Sequence, residues 1–437
     1  MGKFIKDTSH TFITQIIAFA LGVGAMIIIA RVLGPEKNGI YTLCILVATL
    51  VVNFGNLGID SATIYNIGKK RYDFKEIFRN NFILVSFISI LAVLVGLALV
   101  IIFHDIFLEE VPYYYLFLAL LLIPVTLIMD YLGNVLRGLQ EIIKFNLAFL
   151  GNRLFLFLLV LMALFLFRLE VIGALTAHIF AGIFIAILIY RYLKKIKGKL
   201  FEKYRITRDY VKETFSYGLK NHIANILGFL NYRVDILLIN MFLNPLAVGY
   251  YAVSVGIVER LWMISNSACT ALFPRVCSEE DEKSLKEFTP VVSRNVFLIT
   301  AIGAVILYFL SHWLVIIFFS EVYLNSIRPL QILLPGIVAL STARIFGNDL
   351  AGRGKPILNV YIGTAVVFIN IILNIILIPK WGISGAALAS TVAYITSLIG
   401  SSIIYSRISG NSILKCIFIQ RSDFKFYKDF YQILKSK

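Results

Sequence analysis

The chain has 437 residues, 59% of them hydrophobic and only 15% charged, with a net charge of +16. So few charged side chains could not cover the surface of a soluble domain of this length, so the composition excludes an ordinary globular protein and points to a chain solvated by lipid. A surplus of +16 in a soluble protein would suggest nucleic acid, but the placement of these charges in alternate loops excludes that partner.

In chain order, continuous apolar runs predict spans at 10–33, 39–62, 80–103, 113–137, 144–168, 170–192, 213–241, 247–272, 293–319, 327–350, 358–380 and 382–406. Each is close to the ~20 residues with which a helix crosses ~30 Å of hydrocarbon. The runs do not alternate, so helices rather than a closed barrel satisfy the backbone in lipid. The first run follows only Lys3 and Lys6 and has no cleavage-site pattern, so it reads as a retained helix. Pro35, Pro112, Pro245 and Pro329 fall near helix starts, and Pro124, Pro274 and Pro335 fall inside helices as candidate kinks. The basic, aromatic-rich segment 407–437 reads as a cytoplasmic tail with interfacial character.

Lys and Arg set the orientation. Arg31, Lys37, Arg168, Arg328 and Lys380 stand in one set of loops, and Arg153, Lys220, Arg233, Arg260 and Arg344 stand within spans. All the remaining basic residues fall at the termini and in the other set of loops, with a dense group over 191–212. This places both termini in the cytoplasm and implies an even number of helices in the cell membrane. The organisation expected is an N-lobe at 1–192, a basic linker at 193–212 lying on anionic membrane lipid, a C-lobe at 213–406 and the tail.

An internal repeat supports two lobes. LGPEKNGIYTL (33–43) matches LNPLAVGYYAV (243–253), YLGNVLRG (131–138) matches IFGNDLAG (345–352), and VIGALTA (171–177) matches ISGAALA (383–389), at offsets of about 210–214. Six helices per half put both halves in the same orientation, a parallel repeat of the kind that brackets a substrate site and rocks around it. Gly173, Ala177 and Ala181, and Gly385, Ala389 and Ala393, lie four apart and predict close helix packing.

An ionisable side chain at the centre of a span costs roughly 2.5–3.5 kcal/mol on insertion scales, so each needs a partner or a wet cavity. The seventh span is the richest, with Lys220, Asn221, His222, Asn225, Asn231, Arg233, Asp235 and Asn240. At 100° per residue, His222, Arg233 and Asn240 share one face and Lys220 and Asn231 another, so this helix is unsuited to lipid on either. Asn146 and Arg153 share a face of the fifth span, while Glu259 and Arg260 point apart in the eighth. Arg153, Lys220, Arg233, Arg260 and Arg344, with Asn146, Asn225 and Asn231, form the candidate substrate-binding set, suited to an anionic group such as phosphate. The competing interpretation of the same residues is structural ion pairing between helices. Asp235 and Glu259 are candidates for ion coupling. His178 and His222 read as packing histidines, and Asp60 and Asp130 as interfacial or capping residues.

No Gly-rich phosphate loop, metal cluster or nucleophile–base constellation occurs, and Cys44, Cys269, Cys277 and Cys416 lack metal or redox spacing. No cofactor, metal or enzymatic activity is expected.

ARVLGPEKNGIY (30–41), YRVDILLIN (232–240), NPLAVGYYAVS (244–254), LFPRV (272–276) and WGISGAALA (381–389) together resemble the signatures of polysaccharide-biosynthesis flippases. These belong to the multidrug/oligosaccharidyl-lipid/polysaccharide exporter superfamily, and the resemblance covers nearly the whole chain. It implies an all-α, V-shaped transporter of twelve transmembrane helices. It also implies translocation of a polyprenyl-(pyro)phosphate-linked oligosaccharide to the outer leaflet by alternating access through a cationic central cavity, with glycan-assembly enzymes as candidate partners. Asp235 falls on a motif position of that family. Two alternatives stay open. A cation-coupled multidrug antiporter of the same superfamily is disfavoured because the first span holds no acid. A non-transporting scaffold for glycan assembly would not need the costly polar residues of the fifth, seventh and eighth spans.

Overall fold

A computed structural model describes residues 2–69, 72–201, 208–278 and 282–420, without the side chains of 2–10, 12, 208–209, 217, 219–221, 224, 278 and 282–284. Every regular element in these residues is helical. The helices are α1 (Gly2–Gly55), α2 (Ile59–Lys69), α3 (Phe74–Phe107), α4 (Tyr113–Leu120), α5 (Leu122–Gly138), α6 (Ile142–Leu161) and α7 (Glu170–Lys197). There follow α8 (Arg208–Phe242), α9 (Pro245–Val258), α10 (Trp262–Ser278), α11 (Glu282–Phe319), α12 (Ile327–Gly352), α13 (Ile357–Ser409) and α14 (Ile413–Ile417). Among the described residues, 9 helical segments are long and apolar enough to cross a membrane. Two of these, α1 and α13, contain a break, at Gly34 (φ 73°, ψ 172°) and Gly382 (φ 57°, ψ −140°). α8 is 35 residues long and is not among these 9. Counting each side of the two breaks raises the 9 to eleven among the described residues, and α8 lies where the seventh span was expected.

The breaks follow from backbone chemistry. Pro35 has no N–H for the helix, and Gly34 takes a positive φ that other residues resist. The second span ends earlier than its apolar run suggests. It stops at Gly55, and Leu57 (φ 49°) and Gly58 (φ 75°) turn the chain into the separate helix α2. The fourth span divides at Leu121, the fifth closes in a π-turn at Met162–Leu166, and the eighth is interrupted by a 3-10 turn at Glu259–Leu261. Of the tail, only the short α14 and its flanks are described; 421–437 lies outside the described residues.

The side chains are sorted inside out. On α11 Phe309 is 73% exposed and Trp313 63%, while on α3 Asn80 and Asn81 are fully buried. This is the arrangement lipid selects, with apolar groups outward and polar groups turned inward.

The chain forms two compact units, Met1–Phe229 with Leu243–Gly249, and Leu230–Phe242 with Tyr250–Lys437. In the first, α1 packs against α6 and α7, and α5 against α2, α3 and α7. Tyr210 of α8 donates to Asn81 Oδ1 (2.7 Å), and Asn81 Nδ2 donates to Thr63 Oγ1 (2.9 Å), which ties the start of α8 to α3 and α2. In the second unit α12 is flanked by α10, α11 and α13 and is the most enclosed of the spans. Gly173, Ala177 and Ala181 of α7 and Gly385, Ala389 and Ala393 of α13 are all buried, as close packing requires.

Candidate functional site

In the second unit, the last three turns of α8 aim successive polar side chains in different directions. Arg233 reaches the 3-10 turn, where its Nη1 and Nη2 donate to Glu259 Oε1 (2.8 Å) and Oε2 (3.0 Å). This fork-to-fork pair is only part-exposed, so the two charges largely neutralise each other. Asp235 lies 200° further round the helix and is buried. Its Oδ2 accepts from Tyr251 Oη (2.6 Å) and Ser390 Oγ (3.1 Å), and its Oδ1 accepts from the Ile236 amide (2.8 Å). Asn231 accepts from Asn370 Nδ2 on α13 (2.9 Å to the carbonyl, 3.2 Å to Oδ1), and Asn374 Nδ2 donates to Asn370 Oδ1 (2.6 Å). The Asn374 Oδ1 atom is buried without a partner among the described residues.

Arg344 of α12 differs from Arg233. Its guanidinium lies over the Trp262 ring at 4.2 Å and the Tyr232 ring at 5.4 Å, and its Nη1 donates to Asn266 Oδ1 (3.0 Å). Asp349, the nearest acid in sequence, is held instead by Arg353 Nε and Thr289 Oγ1. Tyr232, Trp262 and Tyr394 form an aromatic cluster with centroids 5.0 to 6.5 Å apart. Arg260 Nε donates to the Gly256 carbonyl (3.1 Å) and has a further interaction.

In the first unit Arg153 of α6 is half-buried. Its guanidinium lies 5.4 Å from the Phe149 ring and within electrostatic range of a hydrogen-bonded pair, Tyr41 Oη and His178 Nε2, 2.6 Å apart. Asn146, seven residues before it, donates through Nδ2 to Thr11 Oγ1 (2.6 Å) and so contacts α1. His222 Nε2 lies 3.2 Å from the Phe54 carbonyl, and Asp60 accepts from Asn56 Nδ2 (2.7 Å) in the first turn of α2. Asn225 is exposed on α8. The side chain of Lys220 lies outside the described residues.

Of the expected residues, Arg233, Asp235, Glu259 and Asn231 are therefore engaged with protein groups, and Arg344 and Arg153 have no carboxylate partner among the described residues. Sequence reasoning passed over Tyr232, Trp262, Asn266 and Tyr394, which build the surroundings of Arg344. A signal existed in Trp262. Membrane tryptophans collect at the interfaces, and this one falls mid-span, where an indole N–H needs a reason.

The profile of the family described as polysaccharide biosynthesis protein matches residues 4–279. A membrane protein of Methanocaldococcus jannaschii is 30% identical over 282 residues, 61% of this chain and 54% of that protein, so this chain spans about half of that relative's length. The capsular polysaccharide biosynthesis protein CapF of Staphylococcus aureus is 23% identical over 421 residues, 92% of this chain and 100% of CapF. Among solved structures, the lipid II flippase MurJ in an inward closed conformation aligns with a TM-score of 0.75 at 16% identity, over 94% of this chain and 89% of that one. An inward-facing multidrug resistance MATE transporter aligns with a TM-score of 0.71 at 14% identity, over 90% of this chain and 94% of that one. At these identities the two structures establish a shared fold, that of the MOP superfamily to which the MATE transporter is assigned. This chain is a membrane protein of the polysaccharide biosynthesis protein family.

Proposed function

We propose that the protein moves a polyprenyl-(pyro)phosphate-linked oligosaccharide from the cytoplasmic to the outer leaflet of the cell membrane by alternating access. The observation that carries this reading is the pair of half-buried cations, Arg153 and Arg344, that have no carboxylate partner among the described residues although both lie within spans. An uncompensated charge at such a position is costly, and an anionic head group that passes by would offset the cost. Arg233, paired to Glu259, has no such vacancy. Family membership supports glycan chemistry, and the fold shared with MurJ supports a lipid-linked cargo.

In this mechanism a cation of either unit engages the diphosphate from the cytoplasmic side. Occupancy then favours the outward state by the difference in affinity between the two states, and release resets the protein. Arg233–Glu259 and Asp235 fix the helices around the cation rather than touch the cargo.

The test is translocation in proteoliposomes, using a polyprenyl-diphosphate oligosaccharide with a fluorescent sugar and a membrane-impermeant quencher. The expected result is protein-dependent loss of leaflet sidedness, strongly reduced by Arg153→Glu in protein that still folds. Undiminished translocation by Arg153→Glu would remove the cationic contact. Absence of translocation with several glycans, alongside ion-driven efflux of cationic dyes, would move the protein to the antiporters.

A further inference from the structure

Most of the donors of Arg344 are left unused. Asn266 Oδ1 takes one of the five N–H bonds that a guanidinium offers, and no other acceptor among the described residues takes the rest. Both nearby acids are committed, Glu259 to Arg233 and Asp349 to Arg353 and Thr289. The Trp262 indole N–H, on a residue only 8% exposed, has no acceptor among the described residues. Asn266 is exposed on α10, and because its carbonyl oxygen faces Arg344, its amide N–H groups are left for another acceptor. The rings of Trp262 and Tyr232 fix the guanidinium by cation–π stacking without neutralising it. A fixed cation beside residues with unused donors is complementary to an oxyanion rich in acceptor lone pairs.

We infer that Arg344, Trp262 and Asn266 form a phosphoryl-binding subsite, and that its occupant is the diphosphate of the lipid-linked oligosaccharide. The identity of the occupant rests on the flippase reading; the subsite itself rests on the donor geometry. The 3-10 turn at Glu259–Leu261, immediately before Trp262, places the subsite at a break in the eighth span, where a change of helix geometry would open or close it.

The sequence holds three tryptophans, and Trp313 and Trp381 are both exposed, so Trp313→Phe with Trp381→Phe leaves Trp262 as the sole reporter. In phosphatidylcholine nanodiscs, inorganic pyrophosphate and a polyprenyl diphosphate are each titrated while Trp262 emission is read. Both are expected to give a saturable change. Arg344→Gln should weaken the apparent affinity about ten- to a hundredfold, the loss that accompanies removal of a charged hydrogen-bond donor. Arg344→Lys should recover part of it, since it restores charge without the planar fork. Asn266→Asp, which supplies Arg344 with a carboxylate in an intact fold, should produce the same loss as Arg344→Gln. Responses unchanged in Arg344→Gln and Asn266→Asp would overturn the subsite, as would a response to phosphatidylglycerol in the disc with none to pyrophosphate. Because binding is read directly, the two readings fail separately. An Arg344-dependent pyrophosphate response without oligosaccharide translocation keeps the subsite and rejects the flippase. Translocation with an Arg344-independent response keeps the flippase and rejects the subsite.

Discussion

A carboxylate buried in a membrane span must find its hydrogen bonds within the protein, and Asp235 finds three, from Tyr251, Ser390 and the Ile236 amide. These donors bring α9 and α13 to α8, which makes Asp235 a positioning residue. Asp235→Asn preserves shape and one acceptor oxygen, whereas Asp235→Leu strands two buried hydroxyls at about 1–3 kcal/mol each. Thermal unfolding in detergent should therefore show a much larger loss for Asp235→Leu than for Asp235→Asn, with translocation retained in the latter. Loss of gradient-dependent translocation in Asp235→Asn at unchanged stability would instead assign the carboxylate to ion coupling. Arg233 and Glu259 call for a different experiment, because each compensates the other. Arg233→Met or Glu259→Leu alone should destabilise by about 1–3 kcal/mol, since either leaves a half-buried charge unpaired, and the double change should cost less than the sum of the two. Additive losses in the double-mutant cycle would mean that the pair contributes nothing as a pair.

At the scale of elements, the repeated motif does mechanical work. A Cβ added to Gly39 would collide with the Pro245 carbonyl, and one added to Gly249 would collide with the Pro35 carbonyl. Pro35 and Gly39 occupy the places in LGPEKNG that Pro245 and Gly249 occupy in LNPLAVG, so each motif packs its glycine on the other's proline. The whole contact lies within the first unit, which includes Leu243–Gly249. Gly39→Val and Gly249→Val should each lower the unfolding temperature in detergent markedly and by similar amounts. Gly22→Ala, also in α1 but with nothing within 4 Å of the added Cβ, should be neutral or raise it slightly. Equal tolerance at all three positions would show that the close approach is not needed. The repeat was legible in the sequence because Leu, Pro, Gly and Tyr recur in order. The contact was not, because nothing in residues 210 apart announces that they meet. The end of the second span was missed for a local reason. Hydropathy continues to residue 62, but the positive φ of Leu57 breaks the helix, and leucine carries no compositional mark of that.

For the molecule as a whole, lipid makes some features easy to read and conceals others. Length and continuity of apolar runs locate nearly every span, because the hydrocarbon thickness imposes one scale on all of them. Which cations stay uncompensated depends on partners from distant helices. Arg233 and Arg344 look alike in sequence, yet one meets Glu259 and the other meets two aromatic rings. Sidedness lies between these extremes, since the distribution of Lys and Arg gives an expectation of it, and the natural cysteines allow a direct measurement. Cys277 is exposed at the end of α10 and is near Arg275, Lys283 and Lys286 in sequence, in a segment expected in the cytoplasm. Cys44 and Cys416 are buried, and burial pushes the Cys416 thiol up to about 11, so little of it is in the reactive thiolate form at neutral pH. Cys269 is half-buried, with its thiol 3.7 Å from the Arg344 carbonyl. A membrane-impermeant maleimide should therefore label inverted vesicles predominantly at Cys277, leave right-side-out vesicles unlabelled, and lose its signal in Cys277→Ser. Labelling of right-side-out vesicles at Cys277 would reverse the orientation, and with it the direction in which a lipid-linked glycan would have to travel.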